Sequence, residues 1–129
     1  MEEQLIEKVQ ALYQESLRAE ERLDLIASQL NELRELKEGM KHLDMRVEGH
    51  MLASVGKGIF IRTFIKDPSL FVDVGDGILI KKTHNEIALI IEEQTARLDN
   101  MKSELQEELA DLRENFSYLA KKIGLQGDT

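Results

Sequence analysis

Residues 51–83 read MLASVGKGIFIRTFIKDPSLFVDVGDGILIKKT, and the periodicity of this stretch differs from that of the sequence on either side. Its side chains follow a period of two, which is typical of strands that present successive residues to opposite faces. Three turn signals divide it: Gly56-Lys57-Gly58, Asp67-Pro68-Ser69 and Gly75-Asp76-Gly77. The stretch therefore predicts four short strands arranged as two β-hairpins, the first strand covering His50–Ser54.

The sequence before this stretch has the apolar pattern of a coiled-coil helix. Its apolar residues recur at alternating steps of four and three, with Ser16 and Ala19 completing the series. The apolar positions are Leu5, Val9, Leu12, Leu23, Ile26, Leu30, Leu33, Leu36, Met40, Leu43 and Val47. Two successive steps of three, from Leu30 to Leu36, predict a local overwinding (a stammer). Residues 1–49 are thus predicted to form one coiled-coil helix, about 65 Å long if about 43 residues are helical.

The sequence after the strands predicts a second helix of similar length. Thr83 and Glu86 have the spacing of a capping box, in which each side chain accepts a hydrogen bond from the other residue's backbone N–H. The apolar stripe comprises Ile87, Ile91, Gln94, Leu98, Met101, Leu105, Leu109, Leu112, Phe116, Leu119 and Ile123. Two successive steps of four after Met101 predict a local unwinding (a stutter). Gly124 is predicted as the C-cap, so residues 84–124 are predicted as the helix and residues 125–129 as a frayed tail.

Two helices of similar length on either side of a compact insert can pair as an antiparallel coiled coil. Both chain ends would then meet at the tip of a hairpin-shaped, mainly α molecule, with the β-hairpins at its bend. Four short strands make a poor core and leave edges with unpaired backbone groups. Their apolar residues occur on both faces, so one sheet cannot cover them. The β-region, residues 50–83, is therefore predicted to join other subunits in an oligomeric β-barrel.

Composition and charge exclude several classes of protein. The 129 residues include no cysteine, which removes disulfides and thiolate chemistry and is typical of a cytoplasmic protein. Residues 1–49 carry 12 acidic and 7 basic residues, and residues 84–129 carry 10 and 5. These acidic flanks would repel nucleic acid and anionic membranes. The start, Met1-Glu2-Glu3-Gln4, lacks the basic character of a signal peptide.

No arrangement in the sequence predicts catalysis, a cofactor or a metal site. Residues 54–58 (SVGKG) fail the phosphate-loop pattern and are better explained as a turn between strands. His42, His50 and His84 are too far apart in the sequence to suggest a shared metal. Paired acids such as Glu107-Glu108 are typical of a solvated helix surface.

Several apolar residues near the ends of the chain exceed what a two-helix seam needs. They are Ile6, Tyr13 and Leu17 in the first helix, and Tyr118 and Leu125 near the other end. One interpretation is additional packing at a fraying end or against a partner helix. The other is an exposed apolar tip that holds unfolded chains.

The β-region resembles that of one protein family, the alpha class of prefoldin subunits, which includes the archaeal alpha subunit and eukaryotic subunit 5. In that class a short strand ending in glycine precedes a glycine-aromatic strand, here Ser54-Val55-Gly56 and Gly58-Ile59-Phe60. A turn containing Asp or Asn follows at Asp67-Pro68-Ser69. The most specific element is Val72-Asp73-Val74-Gly75-Asp76-Gly77, and Lys81-Lys82-Thr83 leads into the second helix. Two hairpins rather than one favour the alpha class over the beta class.

The resemblance implies an ATP-independent holdase without enzymatic activity. Two alpha and four beta-type subunits would form a hexamer whose coiled-coil tips capture non-native client proteins and transfer them to a group II chaperonin. By position, assembly is assigned to Ile59, Phe60, Ile61, Phe64, Leu70, Val72, Val74 and Ile80. Client binding is assigned to Leu5, Ile6, Val9, Leu12, Tyr13, Phe116, Tyr118, Leu119 and Ile123.

A second hypothesis is a structural coiled-coil adaptor that assembles through the same β-region and has no chaperone activity. Most of the sequence fits the holdase and the adaptor equally well. The surplus of apolar residues near the chain ends favours the chaperone, whereas no residue pattern favours an enzyme.

Overall fold

The structure, a computed structural model, describes residues 2–43, 50–67 and 69–127. Along the chain it has two long helices with two antiparallel β-hairpins between them, which confirms the predicted mainly α fold class. The elements are α1 (Glu2–His42), β1 (His50–Gly56), β2 (Ile59–Phe64), β3 (Leu70–Asp73), β4 (Leu79–Lys82) and α2 (His84–Gly127).

The chain divides into two compact units. The helical unit contains residues 1–33 and 93–129, which are the N-terminal part of α1 and the C-terminal part of α2. The hairpin unit contains residues 34–92, with the remaining turns of both helices and all four strands. Each unit has its own small cluster of buried apolar side chains.

In the helical unit the two helices pack antiparallel. Ala19 of α1 is buried with Leu109 and Leu112 of α2, and Leu12 and Leu23 pack against this cluster. Small residues at this level of α1 allow the larger α2 side chains to fill the seam.

An ion pair marks the antiparallel alignment of the same unit. The guanidinium of Arg113 donates to Oε1 of Glu20 at 2.7 Å. Both side chains are exposed, so we expect the pair to add little to the stability of the fold. Its main effect is to favour this antiparallel alignment of the two helices over other alignments. The hydroxyl of Ser16, a buried seam residue, donates to the carbonyl oxygen of Leu12 at 2.8 Å and is thereby satisfied within α1.

The seam of α1 is more regular than predicted. Its buried and half-buried positions follow steps of four and three as far as Leu33, and the next is Met40, seven residues further on, with Lys37 between them exposed. Leu36, predicted in the seam, is exposed. Leu33 and Met40 are one heptad apart, so the burial pattern shows no overwinding at Leu36 and the predicted stammer is wrong.

The seam of α2 requires the same correction. Gln94 and Met101, both predicted in the seam, are exposed, whereas the neighbouring Thr95 is half-buried. The next covered positions are Leu98 and Leu105, seven residues apart, and Lys102 between them is exposed. The two successive steps of four therefore fall at Ile87, Ile91 and Thr95 and not after Met101, where the stutter was predicted. In each helix one apolar residue predicted in the seam, Leu36 or Met101, is exposed.

The first hairpin confirms the turn predicted around residues 54–58. Gly56 pairs with Ile59, and the two residues between them, Lys57 and Gly58, have φ angles of 50° and 78°. These left-handed values define a type I′ turn, whose twist matches that of paired strands. The register shifts beside Val55, which forms a β-bulge.

The second hairpin has the same type of turn, at Asp76-Gly77. Their φ angles are 53° and 74°, and the Ile78 N–H donates to the Gly75 carbonyl at 3.0 Å. The side chain of Asp73 accepts a hydrogen bond from the Gly75 N–H at 2.8 Å and so fixes the approach to the turn. The turn signal at residues 75–77 is thus confirmed.

One face of the second hairpin covers the helices of its own unit. Leu70 and Val72 of β3 pack against a buried cluster of Met40, Ile87 and Ile91. This cluster joins both helices to the hairpin. His84 Nε2 also lies 3.2 Å from the carbonyl oxygen of Met40, near the end of α1. These contacts hold the second hairpin in place within the unit.

The capping box at the start of α2 forms as predicted. The Glu86 N–H donates to the Thr83 hydroxyl at 3.1 Å, and the Thr83 N–H donates to the Glu86 carboxylate at 3.2 Å. The hydrogen bond from the Thr83 backbone N–H, followed by that from its hydroxyl, lowers the pKa of Glu86. Hydrogen bonds from the hydroxyl and then the backbone N–H of Ser69 likewise lower the pKa of Asp67. The turn predicted at residues 67–69 includes residue 68, which lies outside the described residues.

A substitution at Thr83 tests the capping box. Thr83→Ala removes the hydroxyl that accepts a hydrogen bond from the Glu86 backbone N–H, so the free energy of unfolding should fall by about 1 kcal/mol. Because the pKa of Glu86 is lowered in the folded chain, the free energy of unfolding also depends on pH. The stabilisation by Glu86 is present above about pH 4.3, the ordinary glutamate value, and is lost as pH falls through the lower folded pKa.

Glu86→Gln supplies the comparison, because an amide can still accept from the Thr83 N–H but does not titrate. Its unfolding, followed by far-UV circular dichroism at fixed protein concentration, should depend less on pH below about pH 4.3 than that of the wild type. Asp67 titrates in both proteins and cancels in the comparison. Equal loss of stability on acidification in both would contradict the role of Glu86.

α2 ends later in the chain than the sequence predicts. α2 does not end at Gly124 but continues to Gly127, so the predicted frayed tail from residue 125 begins too early. Gly124 does not adopt a positive φ, and one glycine in a helix costs only about 1 kcal/mol relative to alanine. α1 ends at His42, and the rest of the helix predicted for residues 1–49 includes residues 44–49, which lie outside the described residues.

Candidate functional site

The first candidate surface is formed by the hairpins. In the described residues each strand is hydrogen-bonded to one neighbour only, so β1 to β4 all have an open edge. Open edges expose backbone N–H and C=O groups that can pair with strands of another chain. The backbone of this region is therefore suited to extending a sheet between subunits.

The side chains of the hairpins are also available for contact. Six of the eight residues assigned to assembly expose between 42% and 63% of their surface. These six are Ile59, Phe60, Ile61, Phe64, Val74 and Ile80. Leu70 and Val72 differ, because they are half-buried against the helices of the same chain. A role for these two in assembly stays a prediction.

Sequence reasoning missed further exposed apolar residues in the hairpins. Phe71 and Leu79 are exposed on the face of the second hairpin opposite Leu70 and Val72. Strand alternation could have identified them once Leu70 was known to face the helices. In the first hairpin the exposed apolar residues Met51, Leu52 and Val55 were also missed. The exposed apolar surface of this region is larger than predicted.

The second candidate surface lies at the helix ends in the helical unit. We call the nine residues assigned to client binding the terminal patch; they are Leu5, Ile6, Val9, Leu12, Tyr13, Phe116, Tyr118, Leu119 and Ile123. Residues from both ends of the chain meet here, since the rings of Tyr13 and Phe116 lie 6.2 Å apart at an angle of 41°. This separation is within the range of favourable aromatic contacts.

The terminal patch contains two kinds of side chain. Six residues are half-buried in the seam, while Ile6, Tyr13 and Tyr118 are exposed, Tyr118 by 67%. Two shallow grooves flank the seam, one beside Tyr13 and Phe116 and the other beside Leu12, Tyr118 and Leu119. The three exposed residues offer apolar contact without any opening of the helices.

The described residues contain no group of three or more His, Asp or Glu side chains arranged to hold a metal ion. His42 and His84, weighed as ligands in the sequence, are in different environments: His42 is exposed near the end of α1, and His84 contacts the Met40 carbonyl. Within the part of the chain that is described, no helix is both long enough and apolar enough to cross a bilayer.

Comparisons with known proteins give one family and one fold. The model of the prefoldin family, described as "Prefoldin subunit", matches residues 5–124. Among solved structures, a filamentous prefoldin from Methanocaldococcus jannaschii, determined by cryo-EM, is similar with a TM-score of 0.73. That similarity covers 89% of this chain and 97% of the other, at 20% sequence identity, and it shows a common fold. The search of curated proteins gives no match.

Proposed function

The chain belongs to the prefoldin family, and on that premise we propose that it is an alpha-class subunit of an ATP-independent holdase. Membership makes it a chaperone-type subunit that assembles with other prefoldin subunits. Two hairpins between the helices support the alpha class, which carries two where the beta class carries one. The proposed complex contains two alpha and four beta-type subunits and acts in the cytoplasm.

The observation that carries the proposal is the exposed apolar surface of the hairpins. Phe60 and Ile61 point to opposite faces of β2, and both are more than half exposed. A chain with such strands gains apolar burial and backbone hydrogen bonds by joining other subunits. We propose that the hairpins join those of beta-type subunits in a β-barrel.

The terminal patch is proposed to bind the client. A non-native protein exposes apolar segments that a native protein buries, and the exposed rings of Tyr13 and Tyr118 can cover such segments. We further propose that the client is transferred from the patch to a group II chaperonin. Binding that relies on side-chain contacts alone requires no nucleotide.

A light-scattering assay tests the holdase proposal against the adaptor hypothesis. The chain, co-expressed with a prefoldin beta-type subunit, is mixed with a chemically denatured client that is then diluted out of denaturant. Without ATP, near-equimolar complex should suppress most of the scattering. Scattering equal to that of the client alone would leave the adaptor as the better account.

A further inference from the structure

A groove in the middle of the helical unit is not explained by the packing of the helices or by the terminal patch. We call it the mid-helix groove; it is lined by Arg22, Leu25, Ile26 and Gln29 of α1 and by Met101, Glu104, Leu105 and Glu108 of α2. Ile26 and Leu105 belong to the seam between the helices and are largely covered. Leu25 and Met101 are instead exposed by 59% and 44%.

Leu25 and Met101 are surplus to the seam. Leu25 is next to the buried seam residue Ile26, and Met101 lies between the half-buried seam residues Leu98 and Leu105. Since Leu25 and Met101 are themselves exposed, neither is needed to hold the helices together. A single exposed apolar side chain on a helix is ordinary. Here two such side chains from different helices line the same groove, which provides an apolar contact surface on both of its walls.

The charges of the groove point to the kind of partner that fits it. Glu104 and Glu108 lie one turn apart on α2, and both line the groove. In the described part of the chain neither carboxylate has an ion pair or a hydrogen bond. Like charges four residues apart weaken a helix slightly, so a cation placed between them would be favourable. Arg22 is the basic side chain in the lining.

The charge of the surrounding surface adds to the negative potential of the groove. Residues 1–33 and 93–129, which form the helical unit, contain 16 acidic and 8 basic residues. Residues 34–92 contain 9 of each, so the net charge of the chain resides entirely in the helical unit. An acidic segment, or the helical unit of a second copy, would be repelled from the groove, whereas a basic segment would be attracted.

We infer that the mid-helix groove binds a cationic amphipathic segment of a non-native client. An apolar side chain of the segment lies between Leu25 and Met101, and its Lys or Arg side chains pair with Glu104 and Glu108. This inference rests on the proposed holdase function and adds a preference to it: basic apolar segments are held more tightly than acidic ones of equal hydrophobicity.

Fluorescence anisotropy with two labelled peptides tests the preference. One peptide is an amphipathic helix built of Leu and Lys, and the other has Glu in place of every Lys. The full-length chain should bind the Lys peptide more tightly than the Glu peptide, and added salt should narrow the difference. Glu104→Gln with Glu108→Gln should weaken binding of the Lys peptide by about 3- to 10-fold. Arg22→Gln should strengthen it by about twofold.

A matched variant separates the groove from the general charge of the unit. Glu107→Gln with Glu114→Gln removes the same two charges from exposed positions of α2 outside the groove lining. Gln and Glu have similar helix propensities, so both double variants should fold. The control should change the affinity by less than about twofold. Equal losses in the two variants, or equal affinity of the wild type for both peptides, would overturn the inference.

The light-scattering assay with the same proteins separates a failure of the groove inference from a failure of the holdase proposal. If the wild-type complex suppresses aggregation but the groove variants keep full affinity for the Lys peptide, the groove inference fails alone. If the complex does not suppress aggregation at all, the holdase proposal fails. The groove inference then fails with it as a statement about clients, whatever the peptides do.

Discussion

Deleting residues 1–13 and 116–129 should abolish suppression of client aggregation while the complex with beta-type subunits still assembles. The deletion removes the whole terminal patch but leaves the buried cluster of Ala19, Leu109 and Leu112 and all four strands. Capture depends on apolar contact at the patch, whereas assembly depends on the hairpins. We therefore expect the two properties to separate.

Point substitutions make the same test without shortening the helices. Ile6→Ser, Tyr13→Ser and Tyr118→Ser together remove the three exposed apolar side chains of the patch. At about 25 cal/mol for each Å² of apolar surface buried, their loss should raise the concentration of complex needed for half-maximal suppression by at least about tenfold.

The matched control for the patch removes exposed apolar residues elsewhere on the helices. Leu36→Ser with Leu89→Ser changes two side chains of the hairpin unit that are also exposed and that belong to neither predicted site. This control should suppress aggregation nearly as well as the wild type. If the deletion or the triple variant keeps full holdase activity, the terminal patch is not the client-binding site.

Introducing lysines into the hairpins should prevent assembly with beta-type subunits. Phe60→Lys with Ile61→Lys places a cation on each face of β2, at positions that are exposed in the single chain. The isolated chain should tolerate both lysines, because neither side chain is buried within it. Burial of either ammonium group at a subunit interface would be costly, so association with beta-type subunits should weaken by at least about 100-fold.

Leu89→Lys is the control for this charge effect. Phe60 and Leu89 both expose 58% of their surface, but Leu89 lies on α2 and outside the hairpins. It should leave association with the beta-type subunit unchanged in size-exclusion chromatography. If the double lysine variant co-elutes with the partner as the wild type does, the hairpins do not form the joint.

The features predicted correctly from the sequence are those with local chemical causes. The Asp76-Gly77 turn follows from two residues that tolerate positive φ, and in the Lys57-Gly58 turn the glycine is the residue that does so. The capping box follows from the spacing of Thr83 and Glu86 alone. Such features need no knowledge of the rest of the fold.

The features that were missed depend on contacts between distant segments. Leu36 continues the apolar pattern of the sequence but is exposed, because packing against the partner helix covers Leu33 and Met40, which are one heptad apart. The packing of Leu70 and Val72 against the helices was not foreseen, because alternation alone cannot say which face of β3 meets them. The mid-helix groove likewise exists only where Leu25 and Met101 are brought together.

The central claim is that the hairpins of this chain are an assembly joint for a prefoldin-type complex, and native mass spectrometry tests it most directly. The chain is measured alone and after co-expression with a prefoldin beta-type subunit. Alone it should form dimers or a range of oligomers, and with the partner it should form one discrete hexamer of two alpha and four beta-type chains. A stable, well-folded monomer whose mass does not change in the presence of the partner would contradict the account.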